Sequence, residues 1–277
     1  MFAASERAGP RPAAHSTCPK LSFLINNKGN VQIISLNRPK KLNAITLEMA
    51  TELNEAIQNA AKNSDVKCLV ITGNGRAFSS GGDVDEMGEY LPKAGDLFYK
   101  LTEQIHHSFS TLLTMPKPII NSLNGIIAGG ALGIALAGDY RIANKSTKLL
   151  SAHFKRGFVP AGGATYILPR LIGLARTQTL FFGGKTLNSS EMLEWGLVHE
   201  IVEDEELEER TLLIAEELAA GPTSAIAETK KLLIDSDTLS LTEELARERE
   251  KNKDSGNSGD AVEGIKAFIE KREPKFE

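Results

Sequence analysis

Cysteine is nearly absent: only Cys18 and Cys68 occur in 277 residues, too few for a disulfide framework or a cysteine-rich metal site. Cys18 falls in a tail-like stretch. Cys68 falls inside an apolar strand, where it reads as a small buried hydrophobe, a usage compatible with a reducing compartment. No apolar run approaches the roughly 20 residues a membrane span needs. Positive charge is not in excess either. The net charge of −4 gives no broadly basic face for nucleic acid. A phosphate-binding GxxxxGK[ST] loop, a dinucleotide GxGxxG fingerprint and a His/Cys metal cluster are all missing, so neither a metal nor a nicotinamide is implied. Residues 1–20 lack the apolar segment of a secretory signal; a transit peptide would be richer in arginine and lack Glu6, and Pro10, Pro12 and Pro19 oppose the amphipathic helix it needs. They read as a disordered tail on a cytoplasmic protein, with organellar import through that tail left open.

What is present is ordinary for a globular enzyme: 41% hydrophobic and 25% charged residues, in a chain long enough for one large domain or a main domain with a helical appendix. Short apolar runs at 21–25 and 31–36 straddle Asn27-Lys28-Gly29-Asn30 and predict a hairpin. Apolar positions Leu47, Ala50, Leu53, Ile57 and Ala61 follow the helix period, with Thr46 as N-cap of a helix over 46–62. Strand 66–72, a helix ending near 114, strand 119–123, a glycine-led helix ending near 138 and strand 139–143 follow. This alternation predicts a mainly parallel α/β sheet with right-handed crossovers. From about 204 onward the strands stop, and helices are expected over 207–219, 223–234, 241–253 and 261–271.

Two glycine pairs carry the chemical signal. Asn124-Gly125-Ile126-Ile127-Ala128-Gly129-Gly130-Ala131-Leu132-Gly133 leads from one apolar strand into a helix, and Phe78-Ser79-Ser80-Gly81-Gly82-Asp83 directly follows another. Glycine lets a ligand approach the backbone, and a helix start offers unpaired N–H groups and a positive dipole end. Tight turns alone would explain either pair. Together they could aim one N–H each at a single carbonyl oxygen, which is an oxyanion hole.

In this order, and with the sequence between them, the motifs resemble the crotonase, or enoyl-CoA hydratase/isomerase, family. The matching pieces include Leu36-Asn37-Arg38-Pro39-Lys40-Lys41-Leu42-Asn43-Ala44, Lys117-Pro118-Ile119-Ile120, Gly157-Phe158-Val159-Pro160-Ala161-Gly162-Gly163 and Trp195-Gly196-Leu197-Val198. The resemblance covers about 21–276, and two segments look closest to isomerase-like members of phenylacetate metabolism. It implies a spiral of ββα units over 21–203 and a C-terminal helical region over 204–277 that makes a homotrimer or dimer of trimers. It also implies an acyl-CoA substrate, so that coenzyme A arrives as part of the substrate and no separate cofactor is needed. Gly82 and Gly130 would supply the oxyanion amides. Lys40, Lys41, Ala44, Ser80 and Gly82 would line the coenzyme path, with Arg38, Lys266 or Lys271 as further cations near it.

The acid/base positions depart from the family pattern. The two glutamates of its hydratases would fall on Gly133 and His153, and a third acidic position used by isomerases falls on Ala161. All three carboxylates are missing. His153 is the replacement able to move a proton near neutral pH, although a core or loop histidine is the plainer alternative. His106 and His107 project about 100° apart on a helix, so only one can face a pocket, and a structural or exposed role is expected for both. Asp83 is expected to cap a helix. Glu86 and Tyr90 could face the acyl pocket, and Asp139 reads as structural. The sequence therefore points to an acyl-CoA enzyme that stabilises a thioester enolate with Gly82 and Gly130 and shifts a double bond, with His153 as base. Hydration of a 2-enoyl-CoA, thioester hydrolysis and non-catalytic thioester or protein binding are the alternatives.

Overall fold

The structure, a computed structural model, describes residues 22–276, so the tail expected over 1–20, with Cys18, lies outside the described residues. Strands β1 (Phe23–Lys28) and β2 (Val31–Leu36) pair antiparallel, with Lys28 opposite Val31. The turn is shorter than the four residues expected. Gly29 takes a left-handed φ of 57°, which lets a two-residue turn close the hairpin and β1 run on to Lys28. Helix α1 (Leu47–Lys62) begins where predicted, with Thr46 Oγ1 accepting the Met49 N–H at 3.2 Å, and it buries Met49, Leu53 and Ile57.

Next come β3 (Cys68–Gly73), β4 (Ala77–Ser79), α2 (Val84–Glu89) and α3 (Gly95–Thr114), then β5 (Ile119–Leu123), β6 (Ile126–Ala128), α4 (Leu132–Leu136), β7 (Tyr140–Asn144) and β8 (Lys148–Leu150). They are followed by α5 (Ala164–Phe182), β9 (Thr186–Asn188), α6 (Ser189–Glu194) and β10 (Glu200–Val202). Six strands form one sheet in the order β1-β2-β3-β5-β7-β10, parallel from β2 onward. Four shorter ones form a second, β4-β6-β8-β9, antiparallel only between β8 and β9. The chain thus spirals. Each turn lays one strand in each sheet (β3 and β4, β5 and β6, β7 and β8) and returns through helix, so like positions of successive turns stack side by side. The four short strands, three residues each, have no sequence period to betray them.

The main core lies between these layers and α1, α3 and α5, around Phe78, Leu112, Ile127 and Leu132. A second cluster covers the opposite face of the larger sheet, where Leu207, Ile214 and Ala215 of α7 (Leu207–Ala220) pack on Val70, Ile120 and Ile142. Cys68 belongs to that cluster, fully buried, with its thiol pushed up to about 12 by burial. Helices α8 (Thr223–Asp235), α9 (Leu241–Gly256) and α10 (Gly259–Glu270) complete the chain. Buried Lys230 of α8 donates to the Leu112 carbonyl at 2.7 Å and to Asp139 at 2.9 Å, and Asp139 also accepts the Ile119 N–H at 2.9 Å. Asp139 therefore anchors α8 to the ends of α3 and β5. Among the described residues no helix is long and apolar enough to cross a membrane.

Candidate active site

Three glycine pairs, 81–82, 129–130 and 162–163, meet backbone to backbone. A Cβ on Gly81 would lie 2.8 Å from the Ala128 oxygen and 3.1 Å from the Gly130 nitrogen, and one on Gly162 would overlap the Gly130 carbonyl. No other residue type allows that approach.

The direction of the Gly82 amide follows from its pairing. Gly82 and Ile45 form a parallel bridge in which Ile45 donates to the Gly81 oxygen at 2.8 Å and accepts from the Asp83 N–H at 3.0 Å. In such a bridge the middle residue's own N–H turns away from the partner strand. Gly130 sits second in the one-turn 3-10 helix Gly129–Ala131, where the first N–H groups have no intrahelical acceptor. Gly82 and Gly130 both line a cavity of about 1110 Å³, and both also border a recess of about 40 Å³ walled by Ile45, Leu101 and Ile105. The recess is small and almost wholly apolar, so a hydrogen bond formed there faces little competition from water.

The three positions without carboxylates have different surroundings. At Gly133 a Cβ would overlap the Gly162 carbonyl oxygen, so backbone fills the space a side chain would need. Ala161 and His153 line the cavity. The His153 carbonyl accepts two amides, from Arg156 and Phe158, both at 3.0 Å, and Gly157 with φ 72° closes the turn, so the imidazole stands on a fixed corner. Its Nδ1 is 3.3 Å from Ser151 Oγ, while Nε2 has no protein partner among the described contacts. Burial, and then the nearby Arg156 charge, push the His153 pKa down, so the ring is neutral at neutral pH and able to accept a proton.

His106 lines the same cavity from α3, and His107 is not among the lining residues. Both histidines are exposed, as expected, and only His106 of the two borders the cavity. Helix phase had shown that one of the pair could face a pocket but not which. Phe98, Tyr99, Phe109, Phe158 and Tyr166 contribute aromatic rings to the remaining wall. Phe98 meets Phe158 edge to face at 5.0 Å, and Tyr166, also edge-on to Phe109 at 6.2 Å, lies under the Arg170 guanidinium at 3.7 Å.

The acidic candidates are committed elsewhere. Asp83 caps α2, as expected, accepting the Asp85 and Glu86 amides at 3.0 and 3.3 Å. Burial alone would raise its carboxyl, but the Arg38 guanidinium and those two amides outweigh it and hold the pKa below the usual range. Glu86 accepts the Leu47 N–H at 3.0 Å, so its carboxylate caps α1, and neither it nor Tyr90 lines the cavity. Of the expected coenzyme-path residues, Lys41, Ala44, Ser80 and Gly82 line the cavity, and Lys40, Lys266 and Lys271 do not. Lys41 is ion-paired to Asp85. Arg38 turns inward onto Asp83 rather than toward the cavity, a correction to its expected place beside the phosphate path, and the sequence held no signal for it. No group of three or more His, Cys, Asp or Glu side chains among the described residues could hold a metal ion.

Comparison with known proteins agrees with this geometry. The sequence profile described as enoyl-CoA hydratase/isomerase matches residues 26–277. The 1,2-epoxyphenylacetyl-CoA isomerase of Escherichia coli is 33% identical over 258 residues, covering 92% of this chain and 98% of that protein. The trans-2-decenoyl-[acyl-carrier-protein] isomerase of Streptococcus mutans is 33% identical over 256 residues, covering 92% and 97%. Among solved structures, an enoyl-CoA hydratase from Bacillus anthracis superposes with a TM-score of 0.87 at 29% identity, covering 92% of this chain and 98% of that one. A chain with paired glycine amides at one cavity, a two-sheet spiral and matches of this extent belongs to the crotonase, or enoyl-CoA hydratase/isomerase, family of enzymes.

Proposed function

We propose that the chain shifts a carbon–carbon double bond in the acyl part of an acyl-CoA thioester. The thioester oxygen would sit between the Gly82 and Gly130 amides, and the coenzyme would leave along Lys41, Ala44 and Ser80. Supporting this is the approach of the two amides at a small apolar recess of one large cavity, in a wall that offers no free carboxylate. The electron pair released when the C2 proton leaves a 3-enoyl thioester flows onto that oxygen. Each amide stabilises the resulting dienolate by about 3 kcal/mol, on the pattern of other oxyanion donors. Neutral His153 takes the proton and returns it at C4, giving the 2-enoyl thioester. An imidazolium is disfavoured where burial and Arg156 both oppose it, which favours prompt return of the proton over its loss to water. A single base serving both carbons suits a cavity in which Ala161 offers no acid and the Gly133 position is filled by backbone.

The two relatives named as isomerases favour this direction, and hydration of a 2-enoyl-CoA is the competing reaction. Incubation with 3-hexenoyl-CoA and, separately, with crotonyl-CoA distinguishes them by product. The expected result is conversion of the first to 2-hexenoyl-CoA with no water added to the second. His153→Ala should cost at least about a hundredfold in rate, while His106→Ala retains turnover. Hydration of crotonyl-CoA, loss with His106→Ala alone, or binding without turnover across a panel of acyl chains would overturn the proposal. Assembly into a trimer or dimer of trimers through the C-terminal helices is part of the same proposal.

A further inference from the structure

The geometry points to Arg38 as a positioning residue that fixes the direction of the Gly82 amide through Asp83. This inference rests on the assignment of Gly82 and Gly130 as carbonyl donors. Residues 38–47 form a strap laid along the turn 79–86. Ser80 N–H donates to the Leu42 oxygen at 2.9 Å, Ser79 Oγ donates to the Asn43 oxygen at 2.7 Å, and Ile45 forms the two bonds that flank Gly82. The strap is strained. Leu42 and Asn43 have φ of 51° and 53°, a left-handed backbone that is costly for residues other than glycine. Buried Asn43 offsets that cost by accepting the Arg38 N–H at 2.8 Å and donating to the Ala77 and Asn74 oxygens at 2.7 and 3.0 Å.

Arg38 closes this structure from the side. One guanidinium nitrogen donates both to the Ala44 carbonyl, next to Ile45, and to Asp83 Oδ2 at 2.8 Å, next to Gly82. One cation therefore clamps both strands of the bridge beside the residue whose N–H matters. The Asp83 side chain is 5% exposed and that of Arg38 25%. With the cation gone, Asp83 would be a buried carboxylate without its counter-charge, and the turn would rotate it toward water or leave it protonated. Either change shifts the Asp83 side of the bridge and, through Gly82, the Gly81–Gly82 peptide that carries the donor N–H, and an oxyanion donor loses most of its effect when displaced by a fraction of an ångström. Arg38 does not itself line the cavity and touches two residues that do, Ala44 and Asp83, so its effect on the Gly82 amide passes through them.

The test uses saturated butanoyl-CoA labelled with 13C at the thioester carbonyl, a ligand with no double bond to move, and reads the carbonyl stretch of the bound form by infrared difference. In the wild type the band moves to lower frequency on binding. In Arg38→Met that displacement falls to half or less, and kcat for a 3-enoyl-CoA drops about tenfold or more with KM within about threefold. Arg38→Lys, which keeps the charge facing Asp83, recovers part of both. Asp83→Asn, which removes the charge and keeps the cap, behaves like Arg38→Met, and the double variant is no worse than either single one. Should Arg38→Met not fold, Arg38→Lys and Asp83→Asn carry the test alone. An undiminished band displacement in a folded Arg38 or Asp83 variant overturns the inference. So does a rise in KM at unchanged kcat, which would make Arg38 a coenzyme contact. A wild-type band that does not move overturns the assignment of Gly82 and Gly130 itself.

Discussion

For His153 the proposed proton transfer and the effect of the ring on stability can be measured separately. Its neutral, buried ring is what a proton acceptor needs, and the same burial is a stability liability. The sign follows from linkage. The unfolded chain protonates its histidines near pH 6.5, while His153 and His199 protonate lower in the folded protein because burial, and then Arg156 and Arg141 respectively, oppose the charge. Above about pH 6.5 neither state is favoured by these groups. As pH falls below that value the unfolded chain gains protons first, and stability declines by at most about 1.4 kcal/mol per pH unit for each ring. Urea unfolding at pH 7.5 and 5.5 should therefore show a smaller loss in His153→Gln than in the wild type; an identical loss would mean the ring is not buried neutral. Cys68, with its thiol pushed up to about 12, is expected to contribute nothing to reactivity.

At the scale of elements, the first two glycine pairs and their meeting at one site were expected from the two motifs together and the family resemblance, whereas their packing against a third pair was not. Gly81-Gly82 and Gly129-Gly130 each follow an apolar strand, a pattern that identifies a tight turn. That the third pair, Gly162-Gly163, packs against the second depends on the spiral stacking of short strands too brief to carry a period. Helices α1 and α3, and the four C-terminal helices, were visible because long amphipathic runs repeat their apolar positions many times over. The strap was opaque. Nothing in Arg38-Pro39-Lys40-Lys41 indicates which of three cations turns inward, because that depends on where Asp83 lies after folding. The backbone contact also explains a missing carboxylate: the Gly162 carbonyl occupies the space of a Gly133 side chain. Gly133→Ala is accordingly expected to destabilise the protein by about 3 kcal/mol or more, as overpacking against backbone that cannot yield. A thermal midpoint within error of the wild type would show that the turn at 162 can move aside.

On the scale of the whole molecule, the fold brings Gly82 and Gly130 to one wide, mostly apolar cavity and leaves a second apolar surface uncovered. Leu233, Leu241, Leu245, Ile265 and Phe268 on α8–α10 are exposed, Phe268 at 86%, which is more than an isolated soluble domain usually shows in one region. Symmetric self-association would bury it. Sedimentation velocity should therefore give a species of about three or six times the 30.0 kDa chain mass, and a single 30 kDa species at micromolar concentration would refute that assembly. The centre of the account is nevertheless the pair of amides, because acid/base assignments, strap and specificity all refer to the oxygen they would hold. A crystal structure with bound butanoyl-CoA addresses it directly. The account predicts the thioester oxygen in the small recess, about 2.7–3.1 Å from the nitrogens of both Gly82 and Gly130. A thioester bound with that oxygen in solvent, or on only one of the two amides, would contradict it.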